Sequence, residues 1–213
     1  KICAKAAQMW DVDAADVVFD GQYVRLSDER AAREQNRYLT LRDFANLCVK
    51  NIAGGDALTS HASACLPVSP PPFMAGIAEV EVDKATGKVT VVDYAAAVDC
   101  GTVINEALAR VQAEGGIAQG IGHALYEIVE HDERGRLRTG NFMSYKLPTR
   151  LDIGSIRVAF EPSYEPTGPF GAKSIGEVVI NTPLAAVASA VAHATGHQVR
   201  SLPITPEKAL LGE

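Results

Sequence analysis

The chain has no C-x-x-C pair, no basic stripe, no run of eighteen apolar residues and no internal repeat. Each absence removes a class of function. The four cysteines, Cys3, Cys48, Cys65 and Cys100, lie far apart, so neither a zinc ribbon nor an iron–sulfur cluster can be assembled from local ligands. Free buried thiols in a reducing compartment are expected instead. Without a long apolar run or a signal-type start, the chain reads as soluble and cytoplasmic, with no membrane partner. Acidic residues exceed basic ones, 26 against 20, and no basic surface is available to release the counterions of nucleic-acid phosphates. The segment "GIGHAL" lacks the third glycine of G-x-G-x-x-G, and no P-loop or G-x-S-x-G elbow occurs, so a classical dinucleotide site, a P-loop site and a hydrolase triad are all unsupported.

What remains is an ordinary globular composition, with 47% hydrophobic and 22% charged residues in 213, enough for one domain or two small packed lobes. The sequence opens at Lys1 inside helix-like sequence, which reads as a fragment of something longer. Residues 1–8 look like a helix end. "VVFDGQYVRL" places Asp20-Gly21 between two β-type runs, a strong hairpin signal. Leu41, Phe44, Leu47 and Cys48 follow helical spacing behind Thr40 as a cap, giving a helix over about 41–50. A Gly-, Ser- and Pro-rich connector from Gly54 to Pro72 separates this part, residues 1–53, from the remainder, residues 73–213.

In the second part, Val80 and Val82 alternate with Glu79, Glu81 and Asp83, "KATG" makes a turn, and Val89 to Ala97 returns as a more buried strand. A long helix is expected from Asn105 to about Ile128, with further strands at 125–131, 136–145 and 155–161. "DERGR" at 132–136 reads as a solvated charged turn. Thr182-Pro183 suggests a helix start, running to Gly196. Helices and strands without regular βαβ alternation predict a mixed α+β fold.

Two stretches are chemically unusual. "GPFGAKSIGEVVINTP", Gly168 to Pro183, holds a single carboxylate, Glu177, among small and apolar residues. It is either a partly desolvated group kept for a purpose or a helix-capping or salt-bridging glutamate. "QAEGGIAQGIGHAL" puts Gln112, Gly115, Gly116 and Gln119 on one helical stripe. Its four glycines cost about 1 kcal/mol each against alanine, which close helix packing or close approach of a polar ligand must offset. His193 and His197 are spaced for a metal pair, but Gly196 ends the helix between them, favouring a solvated helix end.

"AEVEVDKATGKVTVVDYAAAVDCGTVIN", "QAEGGIAQGIGHALYE" with "NFMSYKLPT", and "GAKSIGE" followed by "TPLAAVASAV" together resemble the C-terminal part of the molybdopterin-binding large subunit of the xanthine dehydrogenase and aldehyde oxidoreductase family, the molybdenum hydroxylases. The resemblance is close over residues 73 to 200 and looser before that. It implies an α+β molybdopterin-binding domain in which Glu177, closing K-x-x-G-E, is the catalytic base of an oxidative hydroxylation using water as oxygen source. Gln112 matches the glutamine that hydrogen-bonds the pterin. Lys173, Ser174, Ile175 and Gly176 would line the cofactor with backbone amides, and Gly115, Gly116 and Gln119 would lie near it. No protein ligand to molybdenum is implied. The cofactor would be molybdopterin with molybdenum, alone or as a dinucleotide, with iron–sulfur clusters and FAD on partner domains or subunits. The implied partners are the first molybdopterin-binding half, an iron–sulfur subunit, an FAD subunit and a small substrate, either an N-heteroaromatic (purine-like) compound or an aldehyde. A scaffold without a live site is the alternative. Alone, the chain is expected to be inactive.

Overall fold

The computed structural model describes residues 1–50, 58–63, 65, 66 and 68–212. Parts of the 54–72 connector, residues 54–57, 64 and 67, lie outside that set. The chain divides into two compact units, residues 1–64 and 65–213.

The first unit begins with α1 (Ile2–Trp10), which buries Ala6 and Ala7. Strands β1 (Val17–Phe19) and β2 (Tyr23–Leu26) pair antiparallel, Val17 opposite Leu26. The Asp20 carboxylate accepts the N–H groups of Gln22 (2.9 Å) and Tyr23 (2.7 Å). Gly21 takes φ +96°, a conformation that glycine reaches without a Cβ clash. The short helix α2 (Glu29–Glu34), capped by Asp28, and strand β3 (Tyr38–Thr40), which pairs with β2, were not expected from the sequence. Thr40 caps α3 (Leu41–Val49), its hydroxyl accepting Asp43 N–H at 3.1 Å. Phe44 and Cys48 of that helix enter a core with Val24, Leu26 and Ala32.

The second unit is a three-stranded sheet with helices on one face. Strands β4 (Phe73–Val82) and β5 (Val89–Asp99) form the expected hairpin, with Gly87 at φ +75° in the turn. Strand β6 (Ser155–Phe160) adds parallel to β5, giving the order β4-β5-β6. The two long helices are α4 (Glu106–Leu125) and α5 (Val178–Thr195), and α6 (Pro206–Leu211) lies near the end of the chain. Helix α5 packs on α4 and β4, while α4 also meets β6. Tyr94, Val98, Ile117, Ile121, Val179, Val187 and Val191 form the core between these layers. The mixed α+β class is therefore as expected.

Three boundaries differ from the sequence reading. Helix α4 starts as expected behind Asn105, whose side chain accepts Leu108 N–H at 3.0 Å, but it ends at Leu125. The strands expected at 125–131 and 136–145 reduce to one bridge between His131 and Leu137. Asp132 draws the N–H groups of Arg134 (2.8 Å) and Arg136 (2.9 Å) into a tight turn, and Asn141 does likewise for Met143 (3.0 Å). Side chains thus replace the neighbouring strand that a ladder would need. Finally, α5 starts at Val178, not at Thr182, so Pro183 lies inside it. Thr182 spends its hydroxyl on the buried Tyr94 hydroxyl, 2.9 Å away, instead of capping a helix. Burial of Val178 and Val179 favours the earlier start, and that gain offsets the backbone hydrogen bond that proline removes.

Among the described residues α5 is the one helix long and apolar enough to cross a membrane by length and composition. Its Val178, Val179, Pro183, Val187 and Val191 are buried within the fold, so a core helix accounts for the same pattern. Gly196 closes it in the left-handed conformation, φ +80°. His193 and His197 are exposed at that end. Cys48 and Cys100 are buried, Cys3 is half-buried and Cys65 is exposed.

Candidate functional site

The site forms where the middle of α4 meets the loop that enters α5. Gln112 and the carbonyl of Gly176 are 64 residues apart in sequence, yet the Gln112 side-chain amide donates to that oxygen at 3.1 Å. Gln112, Gly115, Gly116, Gln119, Gly176 and Glu177 line a single cavity of about 420 Å³, together with Val111 and Ile180. The two unusual stretches of sequence therefore converge.

The glycines of α4 divide into two kinds. A Cβ on Gly116 would lie 2.3 Å from Val179 Cγ2, and one on Gly120 would lie 2.8 Å from the Pro183 ring. These two glycines let α4 and α5 approach closely, so helix packing is their role. A Cβ on Gly115 or Gly176 would meet nothing within 4 Å. Those two border open space inside the cavity.

Glu177 occupies the N-cap position of α5 and makes no capping hydrogen bond with its side chain. It is exposed in this chain, which corrects the expectation of a partly desolvated carboxylate. Val178 and Val179 turn into the core and leave Glu177 outside it. Glu127 is the more enclosed carboxylate, with a side chain 6% exposed. It already accepts the Tyr145 hydroxyl at 2.5 Å and lies 3.5 Å from His123. That hydrogen bond, with burial, pushes the Tyr145 hydroxyl pKa up. Glu127 is thus committed to holding the 141–148 loop against the end of α4, whereas Glu177 is free of such bonds.

The Lys173–Gly176 segment does not act as one lining. The Lys173 N–H donates to Cys100 O at 2.7 Å, and its ammonium is bound to Asp99 at 2.5 Å. Ile175 packs against the core. Lys173 and exposed Ser174 border a separate cavity of about 570 Å³ with Leu66, Val68, Gly168 and Pro169. Only Gly176 of the four lines the cavity that holds Gln112 and Glu177. Asp99, which holds Lys173, and Ser163, whose hydroxyl donates to Asp99 at 2.5 Å, were missed by the sequence reading, although Asp99 lies in the "VDCG" segment. Cys100, next to Asp99, is buried, which pushes its thiol pKa up.

Comparison with known proteins decides the family. Residues 1–154 match the family model described as a molybdopterin cofactor-binding domain. The chain belongs to this family. It is 32% identical to the putative xanthine dehydrogenase molybdenum-binding subunit XdhA of Escherichia coli (strain K12) over 209 residues, 98% of this chain and 27% of the relative. It is 37% identical to the aldehyde oxidoreductase of Megalodesulfovibrio gigas over 142 residues, covering 65% of this chain and 15% of the relative. Among solved structures, it superposes on quinoline 2-oxidoreductase from Pseudomonas putida 86 with a TM-score of 0.71 at 28% identity, covering 99% of this chain and 27% of that one. The chain thus spans about a quarter of the length of XdhA and of the matched chain of the quinoline 2-oxidoreductase structure.

The lining of the cavity is polar and open on two sides. The open sides at Gly115 and Gly176 are flanked by the amides of Gln112 and Gln119, which supply both donors and acceptors. Among the described residues no group of three or more His, Cys, Asp or Glu side chains could hold a metal ion.

Proposed function

We propose that this chain supplies one wall of a molybdenum hydroxylase site, with Glu177 as general base, in the oxidative hydroxylation of an N-heteroaromatic, purine-like compound or an aldehyde. The observation that carries this reading is the single cavity containing Gln112 and Glu177. The molybdenum cofactor, when bound, supplies the two-electron oxidation and the activation of water. Gln112 keeps Oε1 and one N–H beyond its bond to Gly176, and these would hold the pterin edge, with Gln119 about two helical turns further along. The absent side chains of Gly115 and Gly176 leave room for it.

Glu177 would take the proton released from water as the new carbon–oxygen bond forms, with its carboxylate Oε atoms as acceptors. Freedom from capping or salt-bridge partners suits that role, because a carboxylate already satisfied by cations is a poor base. Its exposure means that water must be excluded by another part of a longer protein. Exposed Leu108 and Val111, beside Gln112 on α4, are apolar surface that the first molybdopterin-binding half would cover. An iron–sulfur subunit and an FAD subunit would carry electrons onward.

The test is Glu177→Gln in the full-length protein. Turnover should fall by about three orders of magnitude, with molybdenum and pterin content unchanged. Near-normal turnover would remove Glu177 from catalysis and leave a scaffold role for the chain.

A further inference from the structure

The loop that carries Glu177 is fastened at its other end by a small polar assembly. Both oxygens of Asp99, the last residue of β5, are engaged. Oδ2 accepts the Lys173 ammonium at 2.5 Å, while Oδ1 accepts the Ser163 hydroxyl at 2.5 Å and the Gly101 N–H at 3.0 Å. The Lys173 side chain is only 8% exposed, and its ammonium also stands 5.2 Å from the centre of the Phe73 ring. Backbone bonds reinforce the pair, with Lys173 N–H to Cys100 O at 2.7 Å and Thr102 N–H to Gly171 O at 2.8 Å. Gly101, at φ +68°, admits this close approach, since a Cβ there would lie 2.3 Å from Gly171 O.

Four residues later the loop delivers Glu177, and between the two points Gly176 O receives Gln112. The segment is therefore held at both ends of a short span. A charge pair this enclosed, with its remaining valences met by a hydroxyl and a backbone N–H, tolerates little displacement. We propose that Asp99 and Lys173 are positioning residues, a clasp between β5 and the 172–177 loop that sets where Glu177 stands. Lys173 then acts through loop geometry and not by touching the cofactor. The inference rests on Glu177 being the base.

The test uses the full-length, cofactor-loaded protein carrying Asp99→Asn, Lys173→Met, Lys173→Arg or Glu177→Gln. Amide hydrogen exchange over residues 172–178 should rise about tenfold in Asp99→Asn and Lys173→Met, with β4, β5 and α4 unchanged. In the same two variants kcat per molybdenum should fall about ten- to a hundredfold with KM within about threefold, as expected for a displaced base. Lys173→Arg, which keeps the charge, should recover most of both readouts. Unchanged exchange, or looser exchange with kcat per molybdenum intact, would overturn the clasp. So would a loss of activity that only tracks loss of molybdenum. If Glu177→Gln turns over normally while exchange behaves as expected, the base assignment fails and the clasp survives only as a loop anchor. If Glu177→Gln is dead and Asp99→Asn is normal in both readouts, the clasp alone fails.

Discussion

The Gln112 amide donates to the Gly176 carbonyl at 3.1 Å and so joins the middle of α4 to the residue before Glu177. Gln112 is exposed in this chain, so the bond by itself contributes little to stability. Replacing it with alanine should change the unfolding free energy by less than about 1 kcal/mol. Cofactor retention should suffer more. Gln112→Ala in the full-length protein is expected to lower molybdenum content several-fold, read by metal analysis beside a urea titration; full occupancy would exclude Gln112 from the cofactor site.

Gly115 and Gly116 are adjacent, but they should respond in opposite directions. Gly116→Ala would drive a methyl group to 2.3 Å from Val179 Cγ2, and overpacking of this kind costs about 1–3 kcal/mol. Gly115→Ala meets nothing within 4 Å and gains helix propensity of about 1 kcal/mol. Urea unfolding of both variants would expose an error in the packing assignment if their order were reversed. In the loaded enzyme, Gly115→Ala should still reduce cofactor occupancy because it fills the open side of the cavity.

Tyr94 is fully buried, and its hydroxyl is 2.9 Å from Thr182 Oγ1. Desolvation pushes its pKa up, so the phenol stays neutral. Thr182→Val would strand that hydroxyl beside Gly76, at a cost of about 1–3 kcal/mol. Adding Tyr94→Phe should recover part of the loss. A double-mutant cycle showing strict additivity would mean that the two hydroxyls do not interact.

Asp99 has a clear pH signature. Its bonds to the Lys173 ammonium, the Ser163 hydroxyl and the Gly101 N–H lower its pKa from 3.8 to about 2. A carboxyl group with a depressed folded-state value stabilises the fold above its unfolded value, and that contribution disappears as pH falls through the folded value. Asp99→Asn should therefore cost on the order of 1–2 kcal/mol at neutral pH, allowing for partial exposure. The gap between variant and wild type should close between about pH 4 and pH 2. Parallel denaturation curves at pH 7, 4 and 2.5 would reveal it, and a gap independent of pH would contradict the ion pair.

Much of the architecture was legible because its signals are local. Asp20-Gly21 dictates a tight hairpin, Thr40 and Asn105 cap the helices that follow them, and the alternation along 79–83 marks a half-buried strand. Each of these acts within a few residues, where backbone geometry and side-chain reach suffice. The strands expected at 125–131 and 136–145 failed because, among the described residues, the β-type residues there meet no partner strand beyond one bridge between His131 and Leu137. Val129, Leu137, Phe142 and Met143 are left exposed instead.

The amino-acid sequence alone determined the α+β class, the order of the principal elements and the family, through three motifs in a fixed order. Tertiary structure decided what those motifs do to one another. It separated Gly116 and Gly120, which seat α5, from Gly115, which faces the cavity. It moved the start of α5 to Val178, since burying Val178 and Val179 outweighs the local preference for Thr182-Pro183 as a helix start. It also placed Lys173 behind the loop on Asp99 and left Glu177 in the open. Those outcomes depend on contacts between residues some 60 to 90 positions apart, such as Gln112 with Gly176 and Tyr94 with Thr182. Contacts of that separation arise only when whole elements pack, because their energy comes from area buried and bonds satisfied across the core.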